Sequence, residues 1–244
     1  MPWIIAIAAI LVLFQILVEF GVIYRHPHMP TMLLMAGIIF STLHQSSLGT
    51  LYLMVPHKLS HIWYSPWLPL MFFASAVMAG VAMVIVESTL SARFFKRKLE
   101  VDLLKDVGQV LCWAIIGYLA LRGLDLVLRG VNTEVLVITP QATAFWIEVV
   151  IGLLIPLAIL LTPEFARSGS WLFVASLAVI AGLIINRFNV AVTGISAKFS
   201  EAYFPHWMEI AISIGVVSLG VLVYVWICRH FPVFSNEHEP TATG

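Results

Sequence analysis

The sequence predicts an all-α integral membrane protein with seven transmembrane helices, and two observations carry that prediction. The 244 residues are 61% hydrophobic and only 11% charged, with a mean hydropathy of +0.99. A soluble domain of this length cannot hide so much apolar surface, so the solvent is lipid. Seven runs also reach the roughly 20 mostly apolar residues that a spanning helix needs. They are 3–24, 31–55, 67–92, 102–129, 142–161, 171–190 and 205–229.

Turn and interface signals separate these runs: HPHMP, VPHKLSHIWYSPWLP, RFFKRK, ITPQ, TPEFARSGS and AYFPHW. The fourth run is broken by Arg122 and Asp125, and Pro156 interrupts the fifth. No water-soluble domain is expected, and the tail from Ser235 to Gly244 reads as disordered. The first 24 residues carry no Lys or Arg, unlike a signal peptide with a basic n-region. Cys112 and Cys228 fall singly within helices and read as small apolar residues rather than as a disulfide or cluster framework.

Basic residues orient the chain. Arg25, Arg93, Lys96, Arg97, Lys98, Lys105, Arg167 and Arg229 lie on one side, and only Lys58, Arg129 and Lys198 on the other. This predicts an external N-terminus and a cytoplasmic C-terminus in the cell inner membrane. Trp63, Tyr64, Trp67, Tyr203 and Trp207 gather at the outer ends, where an aromatic interfacial belt is expected.

Each ionisable residue then acquires a depth. At mid-helix it costs about 2.5–3.5 kcal/mol on insertion scales, so it needs a partner or a job. Helix one carries Gln15 and Glu19. On helix two, Ser41, His44 and Ser47 share a face, with Gln45 at its flank and Gly37 below. Glu87 on helix three shares a face with Ala76, Gly80 and Met83, which reads as a tight interhelical seam. Toward the outside lie Arg122, Asp125, Glu148, Arg187 and Glu209, with Asn186 and Asn189 flanking Arg187. The plainest structural reading pairs Arg122 with Asp125 and gathers Glu148, Arg187 and Glu209 into one salt-bridge network. Glu87, Glu19 and His44 have no obvious cation at their depth. Buried carboxylates and a histidine in series suit proton transfer, but they supply nothing that moves electrons.

Several strings carry a resemblance: LHQSSLGTLYLMVPHKLSHIWYSPWLP, AMVIVES, NRFNVAVTG and YFPHWMEI. Together they resemble the membrane subunit of the polysulfide-reductase (NrfD-type) family, in the branch that includes the HybB subunit of nickel–iron hydrogenases and the DsrP subunit of sulfite-reduction complexes. The resemblance covers nearly the whole chain. It implies a haem-free subunit that exchanges electrons between a quinone pool (menaquinone or ubiquinone) and a ferredoxin-like iron–sulfur subunit on the outer, periplasmic face, alongside other redox or catalytic subunits. It also implies about ten helices and two four-helix bundles, so that this chain begins at the fourth helix. Residues 1–66 would then complete a first bundle with a separate membrane subunit or belong to a truncated product. Residues 67–200 would form the second bundle, 201–234 the final helix and 235–244 the tail. Carried over by position, His44, Gln45 and Ser47 fall in the HQSS motif, Glu87 is the helix-end glutamate, and Arg187 and Asn189 fall in NRFN. Glu87, His44 and Glu19 are the expected proton-transfer residues, Glu87 and His44 on both the burial cost and the resemblance, Glu19 on its burial cost alone. The resemblance marks His44, Gln45, Ser47, Arg187 and Asn189 for quinone binding or a polar network.

Competing classes fare less well. Transmembrane haem b needs paired axial histidines, and only His44 lies well inside the membrane, so neither haem nor metal is expected. A retinal protein needs a lysine in the last helix, and 205–229 has none. A proton or ion transporter without a redox role is the remaining alternative, and internal inverted repeats would reveal it. The bilayer is an expected partner, and nucleic acid is not.

Overall fold

The computed structural model describes residues 29–54, 56–96, 99, 101–137, 139–166, 168–196 and 206–230. The expected first span, with Gln15 and Glu19, lies outside the described residues, as does the tail. The elements are α1 (Met29–Leu53), α2 (Leu68–Phe94), α3 (Val101–Leu128), the short α4 (Asn132–Leu136), α5 (Pro140–Leu161), the short α6 (Pro163–Ala166), α7 (Gly169–Thr193), the single turn α8 (Gly194–Ser196) and α9 (Trp207–His230). No strand occurs among the described residues.

Five of these helices, α2, α3, α5, α7 and α9, are long and apolar enough to cross a membrane. They match five of the seven runs read from the sequence. The second run, 31–55, corresponds to α1, which has 25 residues but carries the polar stretch 41–47 and is not among the five. The chain divides into two units, 1–200 and 201–244. The second contributes α9, a single helix of 24 residues.

In the first unit, α1 packs on α2, α2 packs on α3 and α7, and α5 packs on α3 and α7. The centre is apolar: Ile85, Leu111, Ile115, Leu172 and Val179 are essentially inaccessible. Small residues let the backbones approach. A β-carbon on Gly49 of α1 would lie 2.6 Å from Cα of Pro69, at the start of α2. One on Gly152 of α5 would lie 2.6 Å from Cα of Gly182 on α7. Small residues at helix contacts are how membrane helices gain dispersion energy that lipid would otherwise supply.

Local chemistry sets the helix ends. Gly130 has φ +67 and closes α3 with a Schellman pair of bonds, Val131 N–H to Leu126 O at 3.1 Å and Gly130 N–H to Val127 O at 3.1 Å. Thr139 caps α5, its hydroxyl accepting from Ala142 N–H at 3.1 Å, with Pro140 in the first turn.

Two helices contain π-turns. Residues Val150–Leu154 form one in α5, where the Ile155 N–H reaches back to Val150 O. Pro156 follows at once and offers no N–H to the Gly152 carbonyl. The sequence marked Pro156 as an interruption, but α5 continues through it to Leu161. The second π-turn, Asn189–Thr193, ends α7, with the Gly194 N–H reaching Asn189 O.

The segment 56–66 returns over one end of these helices rather than lying loose. Ser60 N–H donates to Gly194 O at 2.9 Å, and Leu59 is fully buried. Trp63 is only 2% exposed, so it is not part of an interfacial belt; Trp67 (52%) and Trp207 (69%) do face outward.

Candidate functional site

At the end of the unit covered by residues 56–66, the buried charges form two clusters. Glu148 on α5 is 3% exposed and is the centre of the first. Its Oε1 accepts from Asn186 Nδ2 at 2.8 Å. Its Oε2 accepts from Asn189 Nδ2 at 3.1 Å and from Trp63 Nε1 at 3.2 Å. Arg122 Nη2 of α3 stands 3.1 Å from Oε1, off the hydrogen-bond direction, so that contact is chiefly one of charge. The Arg122 guanidinium also lies 5.0 Å from the Phe145 ring centre and donates to Tyr118 Oη at 3.4 Å. One carboxylate thus gathers α3, α7 and the 56–66 segment around α5.

Asn186 extends the cluster. Its amide nitrogen serves Glu148 while its oxygen accepts from Arg187 Nη1 at 2.8 Å. Arg187 reaches α2, where Nη2 donates to Ser75 Oγ at 2.9 Å and to Phe72 O at 3.2 Å, and its guanidinium stacks 3.7 Å from the Phe72 ring centre. A small cavity of about 10 Å³ lies beside Glu148, bounded by Ser75, Tyr118, Asn186, Gly152 and Gly182.

The second cluster is centred on Asp125. Arg129 grips it with Nε at 2.9 Å and Nη2 at 2.6 Å, and the Ser65 hydroxyl donates to its other oxygen. Arg129 Nη1 donates to the carbonyls of His61 and Tyr64. The expected Arg122–Asp125 pair is therefore not made. Residues three apart on a helix are neighbours, but here Arg122 pairs with Glu148 and Asp125 with Arg129. The expected joining of Glu148 with Arg187 holds through Asn186. Glu209 belongs to the second unit.

The other sequence-selected residues lie elsewhere. His44 and Ser47 are exposed on α1, with Gln45 partly buried. Ser47 Oγ donates to its own helix, at His44 O. Glu87 is exposed, as are Gly80 and Met83 on the same face, so the expected tight seam is not found. Glu19 lies outside the described residues. Arg187 and Asn189 serve the core network.

Gly49 touches Pro69, so His44 lies about 7 Å below that level and Glu87 about 27 Å below it, at roughly 1.5 Å per residue. The two are separated by about 20 Å along the helices. Sequence reading missed the roles of Trp63, Asn186 and Arg129. The Trp63 signal was ambiguous, because a tryptophan next to a helix end suits a lipid interface equally well.

Among the described residues no three His, Cys, Asp or Glu side chains cluster as metal ligands. The sequences of α2, α3, α5 and α7 contain no histidine at all, so this core does not offer the paired axial ligands of a transmembrane haem.

The profile of the family described as "Polysulphide reductase, NrfD" matches residues 1–197. Among curated proteins, the chain is 28% identical over 214 residues to the "Probable Ni/Fe-hydrogenase 2 b-type cytochrome subunit" of Escherichia coli, covering 83% of this chain and 53% of that protein. It is 27% identical over 226 residues to the "Menaquinone reductase, integral membrane subunit" of Nitratidesulfovibrio vulgaris (83% and 54%). It is 26% identical over 185 residues to the "Hdr-like menaquinol oxidoreductase integral membrane subunit" of Archaeoglobus fulgidus (70% and 45%). The chain spans about half the length of the curated relatives it matches. No solved structure gives a significant match.

Proposed function

The chain belongs to the polysulphide reductase NrfD family, and from that premise we propose that it is the quinone-interacting membrane subunit of a multi-subunit respiratory oxidoreductase. In this reading it carries no haem or metal of its own. It passes electrons between the quinone pool and a ferredoxin-like iron–sulfur subunit on the periplasmic face. Reducing a quinone takes two electrons and two protons, and oxidising the quinol returns both. The iron–sulfur subunit handles the electrons, and side chains of this chain handle the protons.

The observation that carries the proposal is the outward polar face of α1. Ser41, His44 and Ser47 are exposed on a helix whose other exposed residues, Thr50 apart, are apolar, among them Met35, Ile38, Ile39, Phe40, Leu43, Leu48 and Leu51. Such polarity within a membrane needs protein or a ligand against it. The printed names of two relatives, a menaquinone reductase subunit and a menaquinol oxidoreductase subunit, supply the ligand class. His44, Gln45 and Ser47 are accordingly assigned to the quinone head, and His44, Glu87 and Glu19 to its protons. Arg187 and Asn189 are fully engaged in the core, which supports the network role for them over quinone binding. The gap of about 20 Å between His44 and Glu87 means that any proton passing between them uses intermediate carriers.

The remaining helices of a quinone pocket are proposed to pack against α1, from a separate membrane subunit or from further sequence. By the same reading, 1–66 belong to a first bundle, 67–200 form a second four-helix bundle, 201–234 supply the last helix, and the N-terminus is external in the inner membrane. The test is quinone-linked turnover normalised to the amount of assembled complex. Glu87→Gln and His44→Ala should each slow it by roughly 10- to 10⁴-fold, the range for positioned proton transfer. Unchanged normalised turnover in both variants would remove them from the mechanism.

A further inference from the structure

At the opposite end of the unit, three helix ends converge on a second cavity of about 420 Å³, within the usual size of a ligand site. It lies between the first half of α3, the last turn of α5 with α6, and the first turn of α7, with Lys105, Gln109, Cys112, Ile116, Leu160 and Leu172 among its walls. Trp113 on its rim is 73% exposed and Leu161 is 61% exposed, and in a membrane protein such surface meets lipid. An occupant of the apolar part therefore arrives from the bilayer.

The wall on α3 is graded. Lys105, Gln109, Cys112 and Ile116 repeat at helical spacing along one stripe, running from ammonium to amide to thiol to alkyl. The stripe is about 16 Å long at 1.5 Å per residue, close to the roughly 15 Å half-thickness of a hydrocarbon core. Lys105 sits one turn inside the start of α3, at the membrane boundary. Its Nζ bonds Asp102 Oδ1 at 2.6 Å, which leaves two of its three donors free for an incoming group. Segments 93–106 and 162–170 hold six Lys or Arg (Arg93, Lys96, Arg97, Lys98, Lys105, Arg167) against four Asp or Glu (Glu100, Asp102, Asp106, Glu164), an excess of two positive charges.

We propose that this cavity between α3, α5 and α7 binds one anionic phospholipid of the adjoining leaflet. The phosphate meets Lys105, the glycerol ester region meets Gln109 one turn deeper, and one acyl chain lies along Cys112, Ile116, Leu160 and Leu172. The order of polarity down the stripe is the order of groups down a phospholipid, and its length is one leaflet. A quinone, which is uncharged at its head, makes no use of the ammonium or of the charge excess. The proposal is independent of the quinone reading at α1.

The experiment is native mass spectrometry of the full chain released from nanodiscs that contain phosphatidylglycerol, phosphatidylcholine and menaquinone. The wild type should retain one phosphatidylglycerol at least fivefold over phosphatidylcholine. Lys105→Gln should bring the two to parity, Lys105→Arg should keep the preference, and Asp102→Asn, which frees Lys105, should raise it. Cys112→Phe, which fills the apolar part, should lower retention of both lipids. Equal retention of both phospholipids by the wild type, a preference untouched by Lys105→Gln, or menaquinone held in their place would each overturn the proposal. Lys105→Gln alters a boundary side chain only, so its thermal midpoint should match the wild type. That keeps the test valid even if Cys112→Phe fails to fold.

Discussion

Gly152 and Gly182 meet backbone to backbone, with a β-carbon on Gly152 falling 2.6 Å from Cα of Gly182. The obstruction is main chain, so no rotamer change relieves it, and the helices must part. Gly152→Ala should therefore destabilise the unit by about 1–3 kcal/mol, as overpacking does. Thermal unfolding in detergent should show a lowered midpoint. Gly117→Ala, where nothing lies within 4 Å of the new carbon, should leave the midpoint unchanged.

Removing Glu148 leaves Arg122 as a buried cation without its carboxylate. Glu148→Leu should cost about 3–5 kcal/mol, seen as loss of monodisperse protein after extraction. Adding Arg122→Met should recover at least half of that loss. If the double variant is as poor as the single one, Glu148 acts mainly through Trp63, Asn186 and Asn189 rather than through charge.

Arg129 holds segment 56–66 by two carbonyls and fastens itself to Asp125. Arg129→Lys keeps the charge but loses the planar fork. Amide hydrogen exchange across 57–64 should quicken at least tenfold, which corresponds to about 1.4 kcal/mol of local stability. Exchange in the middle of α3 should not change.

The charge asymmetry predicts sidedness. Single cysteines at Lys58 and Lys96, in a background with Cys112 and Cys228 replaced, should label from opposite faces of the membrane, with Lys58 outside. Labelling of both from one face would reverse or abolish the proposed topology.

Long apolar runs made the spanning helices legible, because length and hydropathy alone decide them. The cost of burial also marks Glu148, Arg122 and Arg187, which the fold joins in one network. What it could not give was pairing. Arg122 and Asp125 are close in sequence, yet Arg122 is drawn to Glu148 of α5, and Asp125 to Arg129 one turn on and to Ser65 of the 56–66 segment. Ala76, Gly80 and Met83 on the face of Glu87 suggest a packed seam, but small residues also occur on outward faces, as Gly80 does here. The π-turns left only Pro156 as a trace, since a one-residue shift in hydrogen bonding has no compositional signature.

Across the two clusters, three guanidiniums (Arg122, Arg129 and Arg187) face two carboxylates (Glu148 and Asp125), one positive charge in excess. Arg187 is the unmatched one, held by an amide, a hydroxyl, a carbonyl and a ring rather than by a carboxylate of its own. A fixed charge in such surroundings is weakly screened. At an effective dielectric of about 20 it favours a negative charge formed roughly 15 Å away by about 1 kcal/mol. That end of the protein is thus a standing electrostatic bias toward the reduced, more negative form of any redox group brought within that radius.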